Sequence, residues 1–158
     1  MLNLKKINIM RFITLSIILV SLTVFQSCSK YSDGPSISLI SRKTRLCKDW
    51  LLEEQFKNET NVTNDKIVTK LSIDKDGTYS MSSYLNAFGQ LQAEYTHGKW
   101  TFEDNKGQLY FYQMENGVEP EEDPTHVYTI KELRSKSLKL EERFSSINQT
   151  NTYIFSKY

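Results

Sequence analysis

Cysteine occurs only twice in the 158 residues, proline three times and glycine six times. Two cysteines cannot build the multi-bridge framework of a small secreted scaffold, and so little proline and glycine excludes a collagen-like repeat or a Pro/Gly-rich disordered chain. Histidine is as scarce: His97 and His126 lie far apart in sequence, in no spacing that holds a metal. No G-x-S-x-G, H-E-x-x-H, phosphate-cradling loop or dinucleotide fingerprint is present, so no enzymatic activity and no cofactor are expected. What is abundant is aromatic: 12% of residues, mostly Tyr and Phe, far more than a disordered chain carries. The length suits one domain once any targeting segment is set aside.

Residues 1–27 hold Lys5, Lys6 and Arg11 and no acidic residue, followed by an apolar run from Phe12 to Phe25. That is the pattern of a signal peptide, too short to remain as a comfortable transmembrane helix. The run closes on Ser27-Cys28, which resembles the lipobox of bacterial lipoproteins. The resemblance implies that the Cys28 thiol is acylated, with palmitate-type chains anchoring the protein to a membrane, and the A-x-A pair of an ordinary cleavage site is missing. Residues 28–35 are polar and turn-rich and are predicted to form a tether. Beyond residue 27, 17 Lys and Arg face 19 Asp and Glu, a net charge of about −2, which supplies no electrostatic attraction to nucleic acid. With Cys28 lipidated, Cys47 has no intrachain partner and is expected to be a small buried hydrophobe.

Ser36 is predicted to cap a short helix with Ile37, Ile40, Thr44 and Cys47 on one face. From Trp50 the pattern changes to short Tyr/Phe/Thr/Ile/Val-rich runs over 49–57, 66–73, 78–85, 91–103, 108–114, 125–132, 137–144 and 152–157. Asp74-Lys75-Asp76-Gly77 and Asp104-Asn105-Lys106-Gly107 predict tight hairpins whose closing glycines take the positive φ. Alternation groups Ile67, Thr69, Leu71 and Ile73 on one face, Tyr79 with Met81, Leu91 and Ala93 with Tyr95, Trp100 with Phe102, Leu109 with Phe111, and Leu138 with Leu140. Eight such runs predict an all-β fold, an eight-stranded antiparallel up-and-down barrel over 36–158, since closure removes exposed edges.

Several of these residues together resemble the lipocalin-like lipoproteins abundant in Bacteroidetes. They are Trp50 after Arg45-Leu46-Cys47-Lys48-Asp49, the Leu71–Tyr79 hairpin, Gly98-Lys99-Trp100, the Tyr128–Leu133 run leading into Ser137–Leu140, and the closing Tyr153-Ile154-Phe155. The lipocalin Gly-x-Trp of the first strand is absent, because Lys48 stands two positions before Trp50. The resemblance implies a small β-barrel on a lipid anchor, without assigned activity. Ser29-Lys30-Tyr31-Ser32-Asp33 holds no acidic cluster of the kind linked to surface export in this bacterial group, so the periplasmic side of the outer membrane is expected, with the protein a monomer. A barrel of eight strands is either filled by its own side chains or holds one small apolar or amphipathic ligand. In the ligand reading Tyr79, Met81, Tyr95, Trp100 and Phe102 line the lumen; in the other the same side chains are the core, and the sequence leaves both open. A protein-interaction role carried by the 115–124 loop, with Glu121, Glu122 and Asp123, is the alternative function, although its carboxylates suit an ordinary solvated loop. Asp74 and Asp76 are turn residues rather than the start of a calcium loop. Glu141 and Glu142 are neighbours on a strand and point to opposite faces, which argues against an acid/base partnership.

Overall fold

The computed structural model describes Tyr31 and residues 39–87, 90–115, 118 and 123–158. Cys28, the signal-like segment, Ser36, Ile37, Glu121 and Glu122 lie outside the described residues. In chain order the elements are α1 (Arg42–Leu46), β1 (Asp49–Lys57), β2 (Thr60–Asn61), β3 (Ile67–Ile73), β4 (Thr78–Ala87), β5 (Gln90–Glu103), β6 (Gln108–Gln113), β7 (His126–Leu133), β8 (Ser137–Phe144) and β9 (Gln149–Lys157). The two-residue β2 pairs only with the end of β1; the other eight strands pair antiparallel in sequence order, and β1 pairs with β9 to close the barrel. The expected eight-stranded up-and-down barrel is therefore the fold, and every predicted run coincides with a strand to within three residues at each end.

Two bulges decide which side chains enter the interior. Ile130 pairs with Leu140 while Glu132 pairs with Lys139, so Lys131 is an extra residue and Leu133 regains the inward phase that Tyr128 and Ile130 hold before it. A second shift between Leu52 and Glu54 moves the inward phase of β1 from Trp50 and Leu52 to Gln55.

One end of the barrel is closed. The turns 74–77, 104–107 and 134–136 gather there with α1, and Trp50, Leu46, Ile73, Leu109, Leu133 and Leu138 fill it completely. Helix α1 is too short to persist alone. It is capped by Ser41, whose Oγ accepts from Thr44 N at 3.1 Å, and the Leu46 carbonyl accepts the Trp50 indole N–H at 2.9 Å. The helix thus starts six residues after the Ser36 cap expected from sequence, and its buried residues are Arg45 and Leu46 rather than Ile40 and Thr44, which are exposed. Cys47 is half-buried against the core, and loss of hydration pushes its thiol pKa up. Tyr31, placed by sequence in the tether, is only 4% exposed and belongs to the same core; its hydroxyl donates to the Lys106 carbonyl at 2.7 Å.

The hairpins form where expected, but only one uses glycine as foreseen. Gly77 has φ +97°, and Asp76 Oδ1 accepts from both the N–H and the hydroxyl of Thr78. In the 104–107 turn the left-handed residues are Asp104, Asn105 and Lys106, with φ of 46°, 49° and 67°, while Gly107 sits at φ −87°. Asp and Asn tolerate this region better than most side chains. The segment before β1 grips the turn as well, through Tyr31 on the Lys106 carbonyl and Arg42 Nη1 on the Asn105 carbonyl at 3.3 Å.

Candidate functional site

The opposite half of the barrel is not filled. Inward positions toward the end carrying the β4–β5, β6–β7 and β8–β9 connections surround a cavity of about 220 Å³. Its apolar lining is Leu52, Leu71, Met81, Phe111, Leu140 and Phe155; its polar lining is Gln55, Thr69, Ser83, His126, Tyr128 and Tyr153. Along β1 and β3 the closed end's Trp50 and Ile73 give way to Leu52 and Gln55 and, past Leu71, to Thr69, smaller or polar side chains that leave space.

The wall is a continuous aromatic surface. Tyr79 stacks on Phe111 at 4.2 Å between centroids, Phe111 meets Tyr128 edge-on at 5.4 Å, and Tyr128 contacts Tyr153 edge-on and His126 face-on, each at 5.8 Å. Behind this surface sits a buried carboxylate. Glu142 is 5% exposed; its Oε1 lies 2.8 Å from His126 Nδ1, and its Oε2 accepts from the Tyr153 hydroxyl at 3.4 Å. Asn151 Nδ2 donates to that same hydroxyl at 3.3 Å, and Gln149 Nε2 donates to Asn151 Oδ1. Across the lumen the hydroxyls of Thr69 and Ser83 bond each other at 2.9 Å.

Burial sets the protonation of the tyrosines. The Tyr79 hydroxyl is pushed up to about 12 by loss of hydration. Tyr128 is raised further by burial and then by the nearby Glu142 charge. Burial also raises Tyr153, against a smaller lowering by the Asn151 hydrogen bond. At neutral pH all three are neutral hydrogen-bonding groups rather than bases or nucleophiles. Among the described residues no cluster of three or more His, Cys, Asp or Glu is arranged to hold a metal ion.

The residues expected to line a lumen divide three ways. Met81 lines the cavity, and Tyr79 backs its wall through Phe111. Trp100 and Phe102 point inward but belong to the packed region: they meet edge-on at 5.3 Å, and the Trp100 indole donates to the Asp74 carbonyl at 2.9 Å. Tyr95 is on the outside, 65% exposed and stacked on His97. The expectation that it lines the lumen is corrected by strand parity: the β4–β5 and β5–β6 ladders run without a bulge, so Tyr95 and Trp100 must face opposite sides.

Phe111, Tyr128, Tyr153, His126 and Glu142 were not singled out as lining residues, yet their phase was readable. Glu142 follows Leu138 and Leu140 at intervals of two, and His126 precedes Tyr128 and Ile130 in the same way. The opposite-face reading of Glu141 and Glu142 agrees with the structure: Glu141 is outside with Lys131 at 3.4 Å, and Glu142 is inside with His126.

A shallow groove of about 840 Å³ lies on the outer face of β7, β8, β9 and the end of β1, between Phe56, Lys131, Lys139, Arg143 and Ile154. It is open to solvent, and part of its charge is internally paired through Lys131 and Glu141. The lumen is enclosed on more sides and carries the buried polar network.

No family model and no curated protein matches the sequence. Among solved structures the chain is similar to Japanin from Rhipicephalus appendiculatus, in a structure bound to cholesterol, with 10% identity, a TM-score of 0.46 and 75% of this chain covering 79% of that one. It is also similar to bovine odorant-binding protein in complex with a selenium-containing odorant, with 14% identity, a TM-score of 0.42 and 77% of this chain covering 76% of that one.

Proposed function

We propose that the protein is a non-enzymatic bacterial envelope lipoprotein, akin to the lipocalin-like lipoproteins of Bacteroidetes, that binds one small apolar or amphipathic molecule in its lumen. The observation that carries this reading is the half-filled barrel. A protein needing only a stable core would pack both ends, whereas here a lumen of about 220 Å³ is kept between an apolar floor and the polar network around Glu142. The volume lies below the roughly 300–1,000 Å³ of drug-sized sites and suits a molecule of one or two small rings.

Acylation of Cys28 places the anchor three residues before Tyr31, which is fastened to the closed end. Three residues reach at most about 10 Å, so the closed end faces the membrane and the cavity-bearing end faces away from it. The outer membrane, on its periplasmic side, is the proposed location.

Two experiments test the two halves separately. Small aromatic and aliphatic compounds at about a hundred times their Kd should stabilise the purified protein by about 2.7 kcal/mol, a rise in Tm of several degrees. Met81→Trp, which fills the cavity, should abolish the shift. If native mass spectrometry of repeated preparations finds the barrel empty and no compound moves the Tm, the binding reading fails. For the anchor, Cys28→Ala should release the protein from the membrane fraction and end labelling by a palmitate analogue; labelling that persists in the variant would remove the lipoprotein reading.

A further inference from the structure

We infer that the ligand's polar end is a hydrogen-bond donor, neutral or cationic, such as an amine or alcohol, and is not a carboxylate; this rests on lumen binding as proposed above. Three observations at one end of the cavity support it. Among the described residues lining the lumen there is no Lys and no Arg, so an anionic head group meets no permanent cation. The carboxylate of Glu142 stands directly behind the lining, 5% exposed and hydrogen-bonded to His126 and Tyr153. Tyr128, 8% exposed, lines the same end of the cavity and carries a hydroxyl.

The hydrogen-bond roles follow from those contacts. Glu142 in its carboxylate form only accepts, so it takes the proton of His126 Nδ1 in a hydrogen bond. With the proton on Nδ1, the neutral tautomer of the ring offers Nε2 as an acceptor. Tyr128 supplies a hydroxyl that accepts as well as donates. A donor head group satisfies both, and a cationic one also gains from the Glu142 charge and from the faces of Tyr128 and Phe111. A carboxylate head group instead has only acceptors to offer Nε2, finds at most the Tyr128 hydroxyl as a donor at that end, and sets a second anion near Glu142 in a site shielded from water. The apolar body of the ligand lies on Met81, Leu71, Phe111 and Leu140.

The test compares probes of one size with three head groups, 2-phenylethylamine, 2-phenylethanol and 3-phenylpropionate, with ethylbenzene as the headless reference, by titration calorimetry on the purified protein. The amine and the alcohol should bind, and the carboxylate should bind at least about tenfold more weakly than the amine. In Glu142→Gln the amine-to-carboxylate ratio should fall to within about threefold; Glu142→Met, which exchanges the buried charge for an apolar group of similar volume, serves where the first variant does not fold. Equal binding of all four probes leaves lumen binding intact and overturns the head-group inference, as does tightest binding of the carboxylate or an unchanged ratio in the folded Glu142 variant. Binding of no probe, ethylbenzene included, overturns lumen binding itself and the inference with it.

Discussion

Gly98→Ala is expected to destabilise the barrel by at least about 3 kcal/mol, a large part of the 5–15 kcal/mol that holds a typical domain together. A β-carbon at position 98 would lie 2.0 Å from the Tyr112 carbonyl oxygen, 2.9 Å from its carbon and 3.0 Å from Gln113 Cα. All three are main-chain atoms of β6, so no rotamer change relieves the overlap. Relief requires β5 and β6 to move apart where Gly98 pairs with Gln113 and Lys99 with Tyr112, and where Met114 N donates to the His97 carbonyl at 2.8 Å. Ordinary overpacking costs about 1–3 kcal/mol because side chains adjust; here the backbone ladder must. Urea unfolding measures the loss, with Glu94→Ala at an exposed position of the same strand as the control, expected within about 0.5 kcal/mol of the parent. A Gly98→Ala protein as stable as the control would show that the strands do not approach this closely.

That glycine was legible only as part of a motif, Gly98-Lys99-Trp100, and the reason for it lies in a strand far along the chain. The same division runs through the whole molecule. Strand positions and barrel closure could be read because they rest on local alternation and turn chemistry, which Val, Ile, Tyr and Phe at period two and Asp-Gly turns express within a few residues. Phase across a bulge is different. The extra residue at Lys131 lets Ile130 and Leu133 both face inward, and nothing in Lys131 itself announces it. Tyr95 faces outward for the converse reason: grouping it with Trp100 in one lumen needs a bulge that β5 does not have.

The polar part of the candidate site is hidden for a second reason. Aromatic and apolar residues signal a lumen, whereas an isolated Glu142 or His126 points first to catalysis or a metal. Carrying the Leu138, Leu140 alternation one step further puts a carboxylate inside the barrel, and a buried carboxylate requires a partner. Which residue supplies it depends on β7 lying beside β8 with Tyr128 opposite Glu142, a pairing that register alone determines. Whether the interior is filled or hollow was likewise a matter of summed volumes at each level, and the answer differs between the two ends.

Raising the pH from about 9 to about 11 is expected to cost the fold about 3 kcal/mol through two tyrosines alone. Tyr79 and Tyr128 are both nearly inaccessible, and burial raises both pKa values above the 10.0 of an exposed phenol, Tyr79 to about 12 and Tyr128 beyond that. Between pH 10 and 12 the unfolded chain releases these protons while the folded one retains them, so the unfolded state binds fewer protons and stability falls as pH rises. Each group contributes about 1.4 kcal/mol per pH unit in that window, and below pH 10 both states are protonated and the contribution is complete. Tyr153, less deeply buried, acts in the same direction. Denaturant melts at the two pH values measure the drop. The double variant Tyr79→Phe/Tyr128→Phe should lose most of the drop. A parent protein whose stability is flat to pH 11 would mean that water reaches these hydroxyls, and hence that the lumen is far more open than the aromatic wall of Tyr79, Phe111 and Tyr128 implies.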